Sequence, residues 1–327
     1  MKKIKTKVCV SMVALLLFGC LMTGCGKKEE HSLRIGYFPN ITHSQALIMK
    51  EQGVLEKRLD ESYEIKWTSF NAGPAEVEAL FAGELDMGFI GPVPAISAYV
   101  KSGGEFVVVS GVANGGAMLV AGKDSGIASV SDLDGKKVAI PQLGNTQHLM
   151  LLNLLKKNDL SVTSSGGTVE LVAAANADIT NLIDQGQIDA AFVPEPWGSI
   201  ITGNSDAVIV TEGAGMDSID QEATTVIIIN KEYMQKNQET IDAFLEEYYG
   251  ATEYVMAGSE EMKELVNKCI TDETGKEMEK EIVDAAFMNL RFTTEVPKES
   301  LNDYAAILYD QQYISSMPDE NLIYEGH

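Results

Sequence analysis

Leu80-Phe81-Ala82-Gly83-Glu84-Leu85-Asp86-Met87-Gly88-Phe89-Ile90 returns 103 residues later as Ile183-Asp184-Gln185-Gly186-Gln187-Ile188-Asp189-Ala190-Ala191-Phe192-Val193. Each copy reads as a helix end, a Gly stop, an acidic turn and a short apolar strand. The same offset relates Ile35-Gly36-Tyr37 to Val138-Ala139-Ile140, and each trio runs into a break and then a helix. Strands near 64–70 and 169–174 complete two β-α-β-α-β units of nearly equal length. A βαβ crossover favours parallel strands with helices on the sheet faces, and such sheets bind ligands at the carboxyl ends of their strands. The expected fold class is therefore α/β, with two lobes and a cleft between them.

Residues 1–24 read as an address. Lys2, Lys3, Lys5 and Lys7 precede an uncharged apolar run from Val8 to Met22, and Thr23-Gly24-Cys25 follows. The run is short for a span of roughly 20 residues. Its end resembles a bacterial lipobox, with small residues before a Cys that becomes lipidated. Leu17-Phe18-Gly19-Cys20 is a competing site made poorer by bulky Phe18. Cys25 is the expected lipidated residue, and 25–32 a polar tether. With Cys9 and Cys20 in the signal, Cys269 alone stays a thiol, most simply in a helix core. Neither a disulfide, a zinc cluster nor a Cys-x-x-Cys pair can be drawn.

Removing the four signal lysines from 25 Lys+Arg leaves 21 against 48 Asp+Glu, a net charge of −27. Such a body repels nucleic acid and anionic lipid, and no basic stripe offsets it. A monomer without nucleic-acid partner is expected.

Strands are expected at 33–37, 106–112, 118–121, 207–210 and 225–229, with helices at 238–256, 260–270, 277–288 and 298–312. Thr42 and Gln45 have capping-box spacing, Pro74 fits a first helical turn, and Asn114-Gly115-Gly116 reads as a turn. The chain should leave lobe one near 115 and return near 222. That assigns 33–116 and 223–327 to lobe 1, 117–222 to lobe 2, and a two-crossing hinge between them.

Helix starts near Thr42, Pro74, Thr146 and Asp178 face the expected cleft, each with unpaired N–H groups suited to an anion. Asn40–His43 and Gly144–Gln147, placed symmetrically by the repeat, are candidates for ligand contact; ordinary capping is the plainer account of any one of them. Glu195-Pro196-Trp197 closes the second unit where Gly91-Pro92-Val93 closes the first. Trp197 could cover a ligand's carbon part and Glu195 hold an ammonium, or Trp197 could be structural and Glu195 solvated. No phosphate loop, dinucleotide fingerprint or nucleophile elbow occurs. His43 and His148 stand alone near helix starts, so no catalytic residue, metal or cofactor is assigned.

Ile35-Gly36-Tyr37-Phe38-Pro39-Asn40, Gly83-Glu84-Leu85-Asp86, Asp132-Leu133-Asp134-Gly135-Lys136-Lys137-Val138, Pro194-Glu195-Pro196-Trp197 and Thr224-Thr225-Val226-Ile227-Ile228-Ile229-Asn230-Lys231 resemble the nitrate/sulfonate/taurine family of ABC-transporter solute-binding proteins. The resemblance spans about 33 to 310. It implies a type II periplasmic-binding fold, and ligand capture by a lipid-anchored receptor on the extracytoplasmic face of the cell membrane. It also implies delivery to a permease with its ATPase. Carried over by position, the ligand wall would comprise Tyr37, Asn40, Thr42, His43, Gly91, Pro92, Asn114, Asn145, Thr146, Gln147, Glu195, Trp197, Thr224 and Thr225. None is Lys or Arg, which disfavours nitrate. An aliphatic sulfonate, a taurine-like zwitterion with its amine on Glu195, or a thiamin-type pyrimidine on Trp197 remain. Enzymes of the thiamin-pyrimidine and menaquinone pathways share the fold but act inside the cell, which the signal peptide disfavours.

Overall fold

The computed structural model describes residues 31–59, 63–212 and 222–324. The signal peptide, Cys25 and the tether up to residue 30 lie outside the described residues. In chain order the first unit contains β1 (His31–Tyr37), α1 (Ser44–Gln52), α2 (Val54–Arg58), β2 (Tyr63–Ser69), α3 (Gly73–Phe81), β3 (Met87–Ile90), α4 (Pro92–Ser102) and β4 (Phe106–Gly115). The second contains β5 (Ala117–Ala121), β6 (Lys137–Ile140), α5 (Thr146–Lys157), β7 (Glu170–Ala173), α6 (Asn176–Asp184), β8 (Ala190–Pro194), α7 (Trp197–Asn204) and β9 (Val208–Glu212). The remainder is β10 (Ala223–Asn230), α8 (Lys231–Lys236), α9 (Gln238–Met256), α10 (Glu260–Thr274), α11 (Lys280–Met288), β11 (Leu290–Phe292) and α12 (Lys298–Asp310).

The repeated motif has a mechanical meaning. Gly83 and Gly186 adopt φ of 69° and 65°, the left-handed turn after α3 and α6, which a Cβ would strain. Asp86 then exchanges two bonds with the start of β1: Arg34 N donates to its Oδ2 at 2.8 Å, and Asp86 N donates to Arg34 O at 2.9 Å. Asp189 does the same to β6, accepting from Lys137 N at 2.7 Å and donating to Lys137 O at 2.9 Å. Each acidic turn thus fixes the register of the strand beside the one it starts. Arg34 adds side-chain bonds to Asp86, from Nε at 3.0 Å and from NH2 at 2.6 Å.

The sheets repeat as the sequence does. Their orders are β11-β4-β10-β3-β1-β2 and β7-β6-β8-β5-β9. In each, the unit's own strands pair in parallel: β1 with β3, and β6 with both β7 and β8. Both sheets are nevertheless mixed, a departure from the parallel expectation. β10 lies antiparallel between β3 and β4, and β5 antiparallel between β8 and β9. The physical reason is the double crossing: a strand arriving from the other sheet enters at the end where that sheet's own strands finish.

Other expectations are corrected by tertiary contacts. Asn114-Gly115-Gly116 is not a turn; β4 runs through Gly115, and β5 starts at Ala117. Gly115 and Gly116, at φ of 74° and 72°, carry the chain from one sheet to the other. The capping box is also absent. Thr42 lies in a 3-10 turn, and Gln45 Nε2 instead donates to Val112 O at 3.1 Å, tying α1 to β4. The helix expected near Asp178 starts at Asn176.

Burial follows the apolar pattern. β3, β5 and β8 are buried at every position, as strands covered on both faces must be. Phe244 and Tyr248, one turn apart on α9, stack 6.3 Å apart, and both meet Phe89 of β3 at 6.1 and 5.9 Å. Cys269 is buried on α10, as expected of a helix-core thiol, and burial pushes it up to about 11. Among the described residues no helix is long and apolar enough to cross a membrane.

Candidate functional site

A cavity of about 20 Å³ lies where the carboxyl ends of both sets of parallel strands meet. Eight of the expected residues line it: Asn40, Thr42, His43, Gly91, Asn145, Thr146, Gln147 and Thr224. The repeat is visible in its walls. Phe38 and Pro141, Thr42 and Asn145, His43 and Thr146, Gly73 and Asn176, and Gly91 and Pro194 all line it, each pair 103 residues apart. Applying that offset to Phe38 and Gly91 points to Pro141 and Pro194 from the sequence, whereas Gly73 and its counterpart Asn176 were both missed. Asn71, Ala72 and Pro94 are further lining residues that pattern reading missed.

Helix starts build most of this wall. The first residues of α3, α5 and α6 and the residue before α4 all line the cavity. Ala72, Gly91 and Ala175, which precede α3, α4 and α6, provide no side-chain cap to those helix ends. α5 is capped: Asn145 Oδ1 accepts from His148 N at 2.9 Å. Asn71 reaches over from the first unit, its Oδ1 accepting from Asn176 N at 3.2 Å and its Nδ2 donating to Pro141 O at 3.3 Å.

Among the described residues the lining carries no Lys, Arg, Asp or Glu. Its histidine is neutral as well. Burial pulls His43 down to about 3, and its ring is satisfied as a neutral imidazole, with Nε2 donating to Phe89 O at 3.1 Å and Nδ1 accepting from Thr42 Oγ1 at 3.0 Å. Burial likewise lowers His148, just behind the wall, to about 4; its Nδ1 accepts from Gly144 N at 2.9 Å. Two buried lining atoms, Thr146 Oγ1 and Asn176 Oδ1, have no hydrogen-bond partner among the described residues. A buried polar atom left so costs about 1–3 kcal/mol, which a ligand could recover. Such an arrangement can hold a small anion by neutral donors and helix N-termini. Among the described residues no cluster could hold a metal ion.

Six expected wall residues do not line the cavity. Tyr37 is buried with its hydroxyl donating to Glu273 and accepting from Lys50 Nζ at 2.7 Å. Asn114 and Thr225 lie in the β4–β10 ladder. Glu195 is fully buried and already accepts from Ser199 N at 3.0 Å, Ser199 Oγ at 2.7 Å and Asn289 Nδ2 at 2.7 Å. Those donors hold the Glu195 carboxylate against α7 and Asn289 rather than at the cavity lining. The 103-residue offset pairs Glu195 with Pro92, neither of which lines the cavity, and Pro194 with Gly91, both of which do. Trp197 sits behind the wall, its Nε1 donating to Asn40 Oδ1 at 2.7 Å.

Comparison with known proteins agrees with this architecture. A model of the NMT1-like family matches residues 26–271, and the chain belongs to that family. A protein of Escherichia coli (strain K12) named for binding aliphatic sulfonates is 28% identical over 243 residues, covering 72% of each chain. One of the same name in Bacillus subtilis (strain 168) is 24% identical over 295 residues, covering 88% of this chain and 83% of its own. The solved alkanesulfonate-binding protein SsuA of Xanthomonas axonopodis pv. citri, bound to MOPS, superposes with a TM-score of 0.72 at 22% identity, covering 90% of this chain and 98% of that one. The fold is that of the type II periplasmic binding proteins.

Proposed function

We propose that this member of the NMT1-like family is the extracytoplasmic solute-binding component of an ABC importer, and that it captures a small organic anion, an aliphatic sulfonate foremost. The observation that carries this reading is the uncharged cavity where the starts of α3, α4, α5 and α6 converge. Neutral N–H donors there suit a singly charged oxyanion head. Each charge-assisted hydrogen bond contributes about 1.5–3 kcal/mol, so a few suffice without Lys or Arg. The names of the relatives point the same way.

Residues 33–116 and 223–327 are read as one lobe and 117–222 as the other, a division supported by the two sheets and their crossings. A volume of about 20 Å³ holds little more than one water. A sulfonate therefore enters by separation of the lobes and is enclosed as they close. Lipidation at Cys25 would tether the receptor to the membrane beside its permease and ATPase, and a monomer suffices for the task. The relatives named for binding sulfonates support a receptor over an enzyme. The pyrimidine reading rested on Trp197 and the zwitterion reading on Glu195, and both side chains are engaged elsewhere.

A thermal-shift screen tests the proposal with ethanesulfonate, taurine, nitrate, a thiamin-type pyrimidine and bicarbonate. Ligand at about a hundred times its Kd adds about 2.7 kcal/mol to stability. The largest shift is expected with ethanesulfonate. No shift with any sulfonate, beside a clear one with the pyrimidine, would overturn it.

A further inference from the structure

Glu76, in the first turn of α3, has a side chain that is fully buried. Neither carboxyl oxygen has a hydrogen-bond partner among the described residues. Its space is provided by two glycines, Gly36 of β1 and Gly88 of β3, which are register partners in the parallel pair. A Cβ on either would stand closer than 3.0 Å to Glu76 Oε1. The strands therefore carry a recess shaped to one carboxyl group, and none of the described residues offers it a counter-charge.

The charged and titratable groups of the packed elements are engaged elsewhere. On β1, Arg34 is committed to Asp86 and Gly83 O, and Tyr37 to Glu273 and Lys50. Beside β3, Asp86 is held by Arg34, and His43 is neutral on Phe89 O. On α4, Tyr99 bonds Asp319 and Lys101 is exposed, as is Glu78 on α3 itself. An ionised carboxylate without partner in such a site is strongly disfavoured, and burial alone raises the Glu76 pKa well above the usual value.

Its location gives this a consequence. Ala72 and Gly73, at the start of the same helix, line the cavity; Gly36 leads into Phe38 and Asn40, and Gly88 into Gly91. We propose that Glu76 is a positioning residue that keeps its proton in the capture-competent protein, joining the roots of three wall segments, so that ligand capture is linked to that proton. This rests on the function proposed above. The folded state favours the protonated form, so its contribution is full below the ordinary carboxyl value of 4.5 and is lost as pH rises through the raised one. Ionisation would force α3 away from β1 and β3 and loosen the first lobe's wall.

The test compares the full chain with Glu76→Gln, which keeps the shape and cannot ionise. Difference infrared spectra of the two at neutral pH should show the carbonyl band of one protonated carboxylic acid in the wild type. Ligand-free melting from about pH 6 to 9 should show the wild type falling progressively below the variant. Affinity for ethanesulfonate should fall up to about tenfold per pH unit above the Glu76 pKa in the wild type and stay flat in the variant. A missing band, or parallel melting profiles, overturns the protonated state. A flat affinity beside diverging melting curves overturns the link to capture. If ethanesulfonate binds neither protein, the functional reading fails, while band and melting still decide the state of Glu76. Should Glu76→Gln not fold, Glu76→Met serves as the non-ionising variant for all three measurements.

Discussion

The indole Nε1 of Trp197 donates a 2.7 Å hydrogen bond to Oδ1 of Asn40, joining residues 157 positions apart. Trp197 opens α7 on the second-sheet side, while Asn40 belongs to the loop after β1 and lines the cavity. The bond therefore spans the proposed cleft and orients a wall residue. Trp197→Phe should keep the bulk and lose the bond. A neutral hydrogen bond contributes about 0.5–1.5 kcal/mol, so ethanesulfonate should bind about two- to tenfold more weakly. Solution scattering should also give a larger ligand-free radius of gyration; unchanged affinity and radius would remove Trp197 from closure.

Gly91 and Thr146 meet across the same space, and a Cβ on Gly91 would fall within 3.0 Å of Thr146 Oγ1. Gly91→Ala should hold the lobes apart and weaken binding by about tenfold or more, which is 1.4 kcal/mol or more. Thr146→Ala removes the clashing hydroxyl. The double variant should therefore bind better than the sum of the single losses implies, a coupling that calorimetry reads as a double-mutant cycle. Additive losses would place the two residues apart in the bound form.

His43 and His148 are buried and neutral, lowered from 6.5 to about 3 and about 4. Their depressed values contribute stability that is present above 6.5 and lost as pH falls toward the folded values. Each adds a slope of about 1.4 kcal/mol per pH unit over that window. Glu76 titrates with the opposite sign, so the measurement is made in Glu76→Gln. Urea denaturation from pH 7 to about 4.5 should lose roughly half that slope on His148→Asn, whose Oδ1 can replace the Nδ1 acceptor. An unchanged slope would mean that His148 stays solvated.

Asp86 and Asp189 perform the same backbone task, but Asp86 also holds the half-buried Arg34 guanidinium. Asp86→Ala should cost about 2–4 kcal/mol, the loss of its charge-assisted bonds with up to about 1 kcal/mol more for a partly solvated ion pair. Asp189→Ala should cost about 1.5–3 kcal/mol, for charge-assisted bonds alone. Chemical denaturation orders them, and the reverse order would refute the account of the repeat.

Cys25→Ala should abolish metabolic labelling by palmitate and leave the precursor uncleaved. Loss of label in Cys20→Ala instead would move the anchor by five residues.

Much of the fold was legible because its signals are local. The Gly-x-x-Asp turns at Gly83 and Gly186, the apolar strands and the amphipathic C-terminal helices are written in neighbouring residues, and α9 spans Gln238–Met256 as its periodicity predicts. The repeat also located the loops that meet, so Asn40, Thr42, Asn145 and Thr146 reach the cavity. Where the reading slipped, at Glu195 against Gly91, it slipped by one residue along the offset.

What the tertiary structure alone decided is the direction of side chains and the sense of strands, both set by partners far along the chain. Tyr37 turns to Glu273, Glu195 to Asn289 and Trp197 to Asn40, and no sequence window contains both members of such a pair. β5 and β10 run antiparallel because each enters a sheet built by the other half of the chain. Glu76 reads in sequence as an ordinary charge on a helix; only the register of Gly36 against Gly88 turns its place into an enclosed recess. The sequence determined the two units and their pseudo-symmetric loops, because periodicity and turn chemistry act within a few residues. Packing between the units determined the chemistry of the cavity, because burial and hydrogen bonding depend on which distant surfaces meet.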